Sequence, residues 1–247
     1  MTGVSVAIDG PAGTGKSTVA REVARRLRLA YFDTGATYRV ATLWCMREGV
    51  DLAVQEDVTA MVETMNVALV LDPKNPRVIL EEEDVSSLIR ADAVALTVSK
   101  VSTNLDARAA LGRWQREIIA GELEGGFSEG RGIVTEGRDI TTVIAPDADV
   151  RVLMTADEDV RVARRAGEGA DALTVREAVL GRDRKDATVV QFHTAADGVT
   201  TLDTTDLTIE EAVNAVLRLV AEARVEDDAA VEAGVEAGEP GDAEHEA

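Results

Sequence analysis

Eight residues restrict this chain more than any others: Gly10-Pro11-Ala12-Gly13-Thr14-Gly15-Lys16-Ser17 satisfies G-x-x-x-x-G-K-[ST]. The pattern carries meaning only between a strand and a helix, and its flanks supply both. Val4-Ser5-Val6-Ala7-Ile8 is a short, mostly β-branched apolar run. From Ser17 to Arg28, apolar residues fall at 19, 20, 23, 24 and 27, the spacing of one helix face. Strand, glycine loop and helix together predict a phosphate cradle, in which backbone N–H groups turn inward and the helix N-terminus adds its positive end. Gly10, Pro11, Ala12, Gly13, Thr14, Gly15, Lys16, Ser17 and Thr18 are its expected donor-nucleotide residues. Lys16 is suited to follow the β and γ phosphates, and Ser17 offers a hydroxyl to Mg²⁺.

The rest of the pattern extends this unit into an α/β protein. Leu29-Ala30-Tyr31-Phe32 reads as a second buried strand, followed by Asp33-Thr34-Gly35 and a helix from about Ala36 to Arg47. Two βα units within fifty residues predict a parallel, doubly wound sheet. Further strands are expected at Gly132–Thr135, Asp149–Met154 and Val199–Leu202, which makes five. Between them, Val67–Leu71 and Arg77–Leu80 flank Asp72-Pro73-Lys74-Asn75-Pro76 as a hairpin with no room for a crossover helix. Residues 52–100 are therefore expected to be an inserted, β-rich subdomain. A long helical stretch is expected from about Ala91 to Ala120, a charged helical segment broken by Gly167 and Gly169 over 157–182, and a closing helix over Thr208–Ala223 with Thr208 as N-cap.

Charge bounds the partners. The 247 residues hold 26 Lys+Arg against 46 Asp+Glu, a net charge of −20, the wrong sign for coating nucleic acid or an anionic membrane. Any phosphate ligand must then be met by a local basic pocket. Nine of the acids fall in residues 226–247, an Ala/Glu/Gly tail with no apolar face, expected to be disordered. Cys45 is the single cysteine, so no intrachain disulfide is possible and a cytoplasmic location is expected. No apolar run approaches the ~18 residues of a membrane span. Cys45 and Trp44 read as packing, Glu81–Asp84 as a solvated edge, and His193 and His245 lack partners at metal-ligand spacing.

A phosphate cradle does not by itself separate kinases from GTPases or motor ATPases. No Asn-Lys-x-Asp guanine reader occurs, and the Asp157-Glu158 pair opens a charged helix instead of ending an apolar strand. An acceptor that carries its own phosphate needs arginines, whose planar fork grips dianionic oxygens. Arg39 and Arg138 follow expected core strands and fill that requirement.

The segments Ile8–Ser17, Phe32-Asp33-Thr34-Gly35-Ala36-Thr37-Tyr38-Arg39, Glu81–Ser86, Glu136-Gly137-Arg138-Asp139-Ile140 and Ala145–Ala148 resemble bacterial cytidylate kinases over about residues 4–220. The resemblance implies a P-loop NTPase of adenylate-kinase-like fold. Its parts would be a core, a nucleoside-monophosphate subdomain made by the insertion, a helical lid over ATP at about 157–188, and the tail beyond residue 225. It implies ATP with Mg²⁺ as donor and CMP or dCMP as acceptor, in a monomer. Carried onto matching positions, it puts the acceptor phosphate on Thr34, Tyr38, Arg39 and Arg138, cytosine on Ser99, Arg108 and Asp139, and ribose on Arg182 and Asp186. Asp139 has a second reading, as a partner of Arg138 or a helix cap. Asp33 is either a water-mediated Mg²⁺ ligand or the cap of the next helix. Arg161, Arg164 and Arg165 are lid candidates for the transferring phosphoryl group, or else a solvated surface. The sequence departs from the family at Val189, where an Arg is more usual, and at Phe192-His193-Thr194, where Pro-Leu is usual. Two alternatives stay open: a kinase of the same fold with another acceptor such as UMP, and a non-catalytic ATP-binding regulator that signals through its tail.

Overall fold

The computed structural model describes residues 3–166 and 172–236, apart from the side chains of residues 172–175, 178, 179, 182 and 226–236. Five strands, β1 (Val4–Asp9), β2 (Ala30–Asp33), β6 (Gly132–Gly137), β7 (Val150–Thr155) and β8 (Thr200–Asp203), form one parallel sheet in the order β2-β6-β1-β7-β8. The chain leaves β1 for one side of the sheet and returns on the other, so strand order reverses at β1. In such sheets the crevice outside the carboxyl ends of the strands at that reversal receives ligands. The five expected strands are all present, each within two residues of its expected limits.

Alternation along β1 sorts the two faces. Val4, Val6 and Ile8 join a core with α1 (Lys16–Leu27) and α8 (Ile209–Glu236), through Val19, Val23, Val213 and Val216. Ala7, with Ile133 and Phe32, packs on the opposite face against Ile119 of α5 (Leu105–Glu124) and against Ile140 and Ile144 of a π-helical turn, Ile140–Ile144. Both faces of the central strand are buried, as parallel sheets require. The side chain of Asp9, two residues beyond Ala7, falls on the α5 side.

The insertion carries β3 (Val67–Val70), β4 (Arg77–Leu80) and β5 (Glu83–Asp84), an antiparallel sheet in that order, after α2 (Thr34–Arg47) and α3 (Gln55–Thr64). The expected hairpin is there. Its third strand comes from the acidic run read only as a solvated edge; Glu83 and Asp84 are exposed, and two residues pair along β4. A 3₁₀ turn, Leu88–Arg90, leads into α4 (Asp92–Ser102).

Two expectations need correction. The single helix from Ala91 to Ala120 is two helices, α4 and α5, because Asn104 caps the second. Its side chain accepts from Asp106 N and Ala107 N, both at 3.1 Å, and donates to Gln55 O at 2.8 Å. Asn competes well for end groups and poorly within a helix, so the break falls there. The closing helix runs to Glu236 instead of stopping near Ala223, which makes residues 226–236 of the expected disordered tail helical. Ala and Glu dominate that stretch, and extending an existing helix adds one backbone bond for each residue fixed. Residues 237–247 lie outside the described residues. Thr208 does cap α8, in a reciprocal box with Glu211: Thr208 N donates to Glu211 Oε2 at 2.9 Å and Glu211 N to Thr208 Oγ1 at 3.2 Å. The charged segment is α6 (Glu158–Ala166) and α7 (Ala172–Asp186), with Gly167 and Gly169 outside the described residues. Among the described residues no helix is long and apolar enough to cross a membrane.

Asn104→Ala removes a buried cap and leaves two helix-end N–H groups, those of Asp106 and Ala107, without their acceptor. The expected loss is about 2 kcal/mol, read as a fall in Tm of about 4–8 °C. A loss below about 0.5 kcal/mol would mean that water replaces the cap.

Candidate active site

Gly15 is the N-cap of α1 and offers no side-chain cap, so the first N–H groups of that helix are left for an anion. Gly13 holds the loop against α6. Its φ is +86°, and a Cβ there would lie 2.6 Å from Arg161 O, so only glycine fits. Thr14 Oγ1 donates to Pro11 O at 3.1 Å, and Lys16 Nζ to the same carbonyl at 3.3 Å.

The sheet register places two acids beside this loop. Asp33 and Glu136 are register partners on β2 and β6, and Glu136 is the partner of Ile8 on the other side. Glu136 is buried. Burial and the Asp33 charge push its pKa up, opposed by Lys16, by a hydrogen bond from Ser17 and by one from Tyr31, whose hydroxyl is 3.0 Å from Oε1. Asp33 stands at the N-cap position of α2 but makes no capping bond; its carboxylate accepts from Arg90 at 3.1 Å. Two adjacent carboxylates and a serine hydroxyl suit a hard cation that keeps most of its waters. Three or more acidic or metal-ligating side chains do not cluster anywhere among the described residues.

An open cleft joins this region to the acceptor side. Lys16, Ser17, Asp33, Thr34, Tyr38, Arg39, Arg108, Arg138, Asp139, Arg165 and Asp186, all expected site residues, line it together with Ala12. Thr34 Oγ1 donates to Glu136 O at 2.8 Å, which ties α2 to β6. Buried Tyr38 lies under the Arg108 guanidinium, 5.5 Å from carbon to ring centre, and desolvation raises its pKa. Arg39 donates to Ile89 O at 3.3 Å.

Three of the cleft arginines, Arg90, Arg108 and Arg138, are already matched to carboxylates. Arg108 pairs with Asp139, and its other nitrogen donates to Ser102 O at 2.9 Å. Asp139 is therefore a partner of Arg108, not of Arg138, and it makes no capping bond to the π-helical turn. Burial raises its pKa against the pull of Arg108. Arg138 lies between Asp186, 3.0 Å from Nε, and Asp183, 2.7 Å from Nη1 but off the hydrogen-bonding direction, and covers the Phe192 ring at 4.7 Å. Asp183 also accepts from Arg161 Nη1 at 2.5 Å and from Ala12 N at 3.3 Å. Burial alone would raise the Asp183 pKa; the Arg138 charge, then the Arg161 bond and the Ala12 N–H, outweigh it and hold the pKa below the usual carboxylate range.

Some expected residues stand apart. Ser99 is not among the lining residues; Ser102, one turn further along α4, is. Arg161 is buried, with Nη1 also donating to Ala12 O at 2.9 Å, and Arg164 donates to Thr204 O at 2.6 Å and to Thr204 Oγ1 at 3.2 Å. Of the three lid candidates only Arg165 lines the cleft. The Arg182 side chain lies outside the described residues. Glu136, Asp183, Arg90 and Phe192 carried no expected role. A signal for Glu136 was present in the sequence, as an acid directly after the expected core strand Gly132–Thr135. Phe192 was marked only as a departure, yet it forms the platform under Arg138.

The family model for cytidylate kinase matches residues 6–222. The chain belongs to the cytidylate kinase family. It is 39% identical over 224 residues to a cytidylate kinase of Streptomyces avermitilis, covering 90% of this chain and 94% of that one. It is 42% identical over 229 residues to a cytidylate kinase of Nocardia farcinica, covering 90% and 95%. A P-loop kinase of this kind needs a cation over the transferring group, and the fold separates the three arginines of α6 by position. Arg165→Ala is expected to lower kcat about tenfold or more with Tm unchanged, whereas Arg164→Ala lowers Tm and leaves kcat within about threefold. A kcat loss in Arg164→Ala alone would reverse that assignment.

Proposed function

We propose that the chain transfers the γ-phosphoryl group of ATP to CMP, and to dCMP, giving ADP and the diphosphate, with the cleft between the phosphate loop and the Arg138-Asp139 segment as the active site. The observation that carries this reading is the Arg108–Asp139 pair in the wall of the same cleft as Lys16 and Arg138. A carboxylate accepts from the cytosine 4-amino group while a guanidinium donates to the ring acceptors O2 and N3. UMP presents a carbonyl where CMP has that amino group, so Asp139 meets an acceptor with an acceptor.

In this reading, N–H groups of the loop from Gly10 to Thr18 and Lys16 hold the donor phosphates, and Arg39 and Arg138 hold the acceptor phosphate, with Thr34 and Tyr38 shaping its seat. Phe192 and the two acids keep the Arg138 fork flat and aimed before substrate arrives. Asp186, joined to Ser102 Oγ at 3.1 Å, is placed to receive ribose. Mg²⁺ would be held by Ser17 and, through its waters, by Asp33 and Glu136; when bound it neutralises phosphate charge. Arg165 comes over the transferring group from the lid. Attack by the acceptor phosphate needs no protein base, because that oxygen is already ionised; positioning and electrostatics lower the barrier. The insertion around β3–β5 serves as the acceptor subdomain and α6–α7 as the lid. The reading takes the chain to act as a monomer, and a cytoplasmic setting fits its single, buried cysteine at position 45.

Initial rates with CMP, dCMP, UMP and AMP test this directly: CMP is expected to lead UMP by about tenfold or more in kcat/KM. Asp139→Ala should shrink that ratio to within about threefold, since it deletes both the attraction and the repulsion. In the wild type the ratio should also fall toward acid. As pH drops through the raised Asp139 pKa the carboxyl gains a proton, loses its acceptor role and can donate to the UMP carbonyl. Equal weakening of both substrates in Asp139→Ala would assign Asp139 to holding Arg108 alone.

A further inference from the structure

Asp9 is a buried acid that the phosphate-binding chemistry does not use. It is the last residue of β1, 2% exposed, and the residue after it, Gly10, opens the phosphate loop. Its carboxylate turns to the opposite face of the sheet and accepts three hydrogen bonds: from Ile140 N at 2.9 Å to Oδ1, and from Thr141 N at 2.8 Å and Thr141 Oγ1 at 2.6 Å to Oδ2. No cation lies within ion-pairing distance of it among the described residues. These three donors belong to the first two residues after Arg138-Asp139. The residue before that dipeptide, Gly137, is fixed to Asp9 as well, as its register partner in the β1–β6 ladder.

We infer that Asp9 is a positioning residue that fixes the Arg138-Asp139 dipeptide relative to the phosphate loop, and so sets acceptor binding and acceptor selectivity while donor binding is left to the loop itself. The inference deepens the reading above and rests on it for the roles of Arg138 and Asp139. Its physical basis is an arrangement clamped at both ends. Backbone pairing at Gly137 fixes where the dipeptide starts, and the Asp9 carboxylate fixes where it ends. Asp139 itself sits at φ −142° and ψ 22°, outside helix and strand, so no regular ladder holds it. A buried carboxylate without a counter-cation is unfavourable unless its lone pairs are filled by well-placed donors. Three short bonds to one turn meet that condition only while the turn keeps its place. Neither oxygen bonds the phosphate loop, which is held from other sides by the Thr14 and Lys16 bonds to Pro11 O and by Asp183 at Ala12 N.

Asp9→Asn keeps the shape but sets an N–H₂ group against a backbone N–H. In this variant the KM for CMP should rise about tenfold or more and the CMP-over-UMP ratio should fall about fivefold, while the Kd of a fluorescent ATP analogue stays within about twofold of wild type. Thr141→Val removes only the hydroxyl bond and should raise the CMP KM about two- to fivefold with the same ATP affinity. An ATP Kd that moves in step with the acceptor KM would overturn the inference, as would a CMP KM within about 1.5-fold of wild type in Thr141→Val. The second variant decides the matter if Asp9→Asn does not fold. If the wild type accepts UMP as readily as CMP, the base reading at Asp139 fails, and Asp9 is judged by the split between acceptor KM and ATP Kd alone.

Discussion

Parallel pairing of β1 with β6 is the constraint on which the rest of this molecule depends. Six consecutive register pairs, from Val4 with Gly132 to Asp9 with Gly137, bring the ends of two strands level. One end becomes the phosphate loop. The other becomes Arg138-Asp139, so the residues suited to the donor and those suited to the acceptor emerge side by side although they lie more than 120 positions apart in sequence. The ladder is buried on both faces, with Val6 and Ile8 against α1 and α8 and Ala7 and Ile133 against α5. A shift by one residue would reverse both faces and break the packing. The geometry at the cleft thus inherits the rigidity of the core.

Charge makes the second half of the account. The chain carries a net charge of −20, yet the cleft gathers Arg39, Arg90, Arg108, Arg138, Arg165 and Lys16. Many of these cations rest against an acid: Arg90 on Asp33, Arg108 on Asp139, Arg138 on Asp183 and Asp186. Acid partners keep guanidinium groups extended and aligned in a partly buried space that would otherwise repel their charge. A dianionic phosphate competes for the same forks with shorter, bidentate bonds. Ligand binding in this scheme is an exchange of partners, and the acids released are then free for the ribose, the base or a metal-bound water.

Much of this was legible in the sequence, for physical reasons that differ by element. The phosphate loop and its flanking strand and helix were readable because both the glycine pattern and the apolar period are local. Four of the core strands were readable because buried parallel strands carry short apolar runs, whereas the exposed edge strand β8 was marked only by Val199 and Leu202. The Asn104 break was missed because Thr103-Asn104 carries no Gly or Pro to interrupt the helical pattern, and the bond to the Gln55 carbonyl that fixes the cap comes from a helix distant in sequence. The helical extension past Ala223 was missed because a tail without an apolar face gives no period to read. At the site, resemblance pointed to Arg108 and Asp139 separately, but nothing in the sequence shows that they face one another. Partners such as Asp183 with Ala12, or Asp9 with Thr141, lie 171 and 132 positions apart and come together only through sheet register and lid packing. The lid arginines show the limit most clearly. Three cations at helical spacing look alike in sequence, whereas the fold buries Arg161 under the phosphate loop, ties Arg164 to Thr204 and turns Arg165 to the cleft.

The most direct test of partner exchange is a crystal structure of the chain with CMP and a non-hydrolysable ATP analogue. The account predicts that the Arg138 guanidinium has moved from Asp183 onto the acceptor phosphate and that the Asp139 carboxylate accepts from the cytosine 4-amino group. A complex in which CMP occupies the cleft while the Arg108–Asp139 and Arg138–Asp183 pairs remain as they are, with the base and phosphate held by other groups, would contradict it.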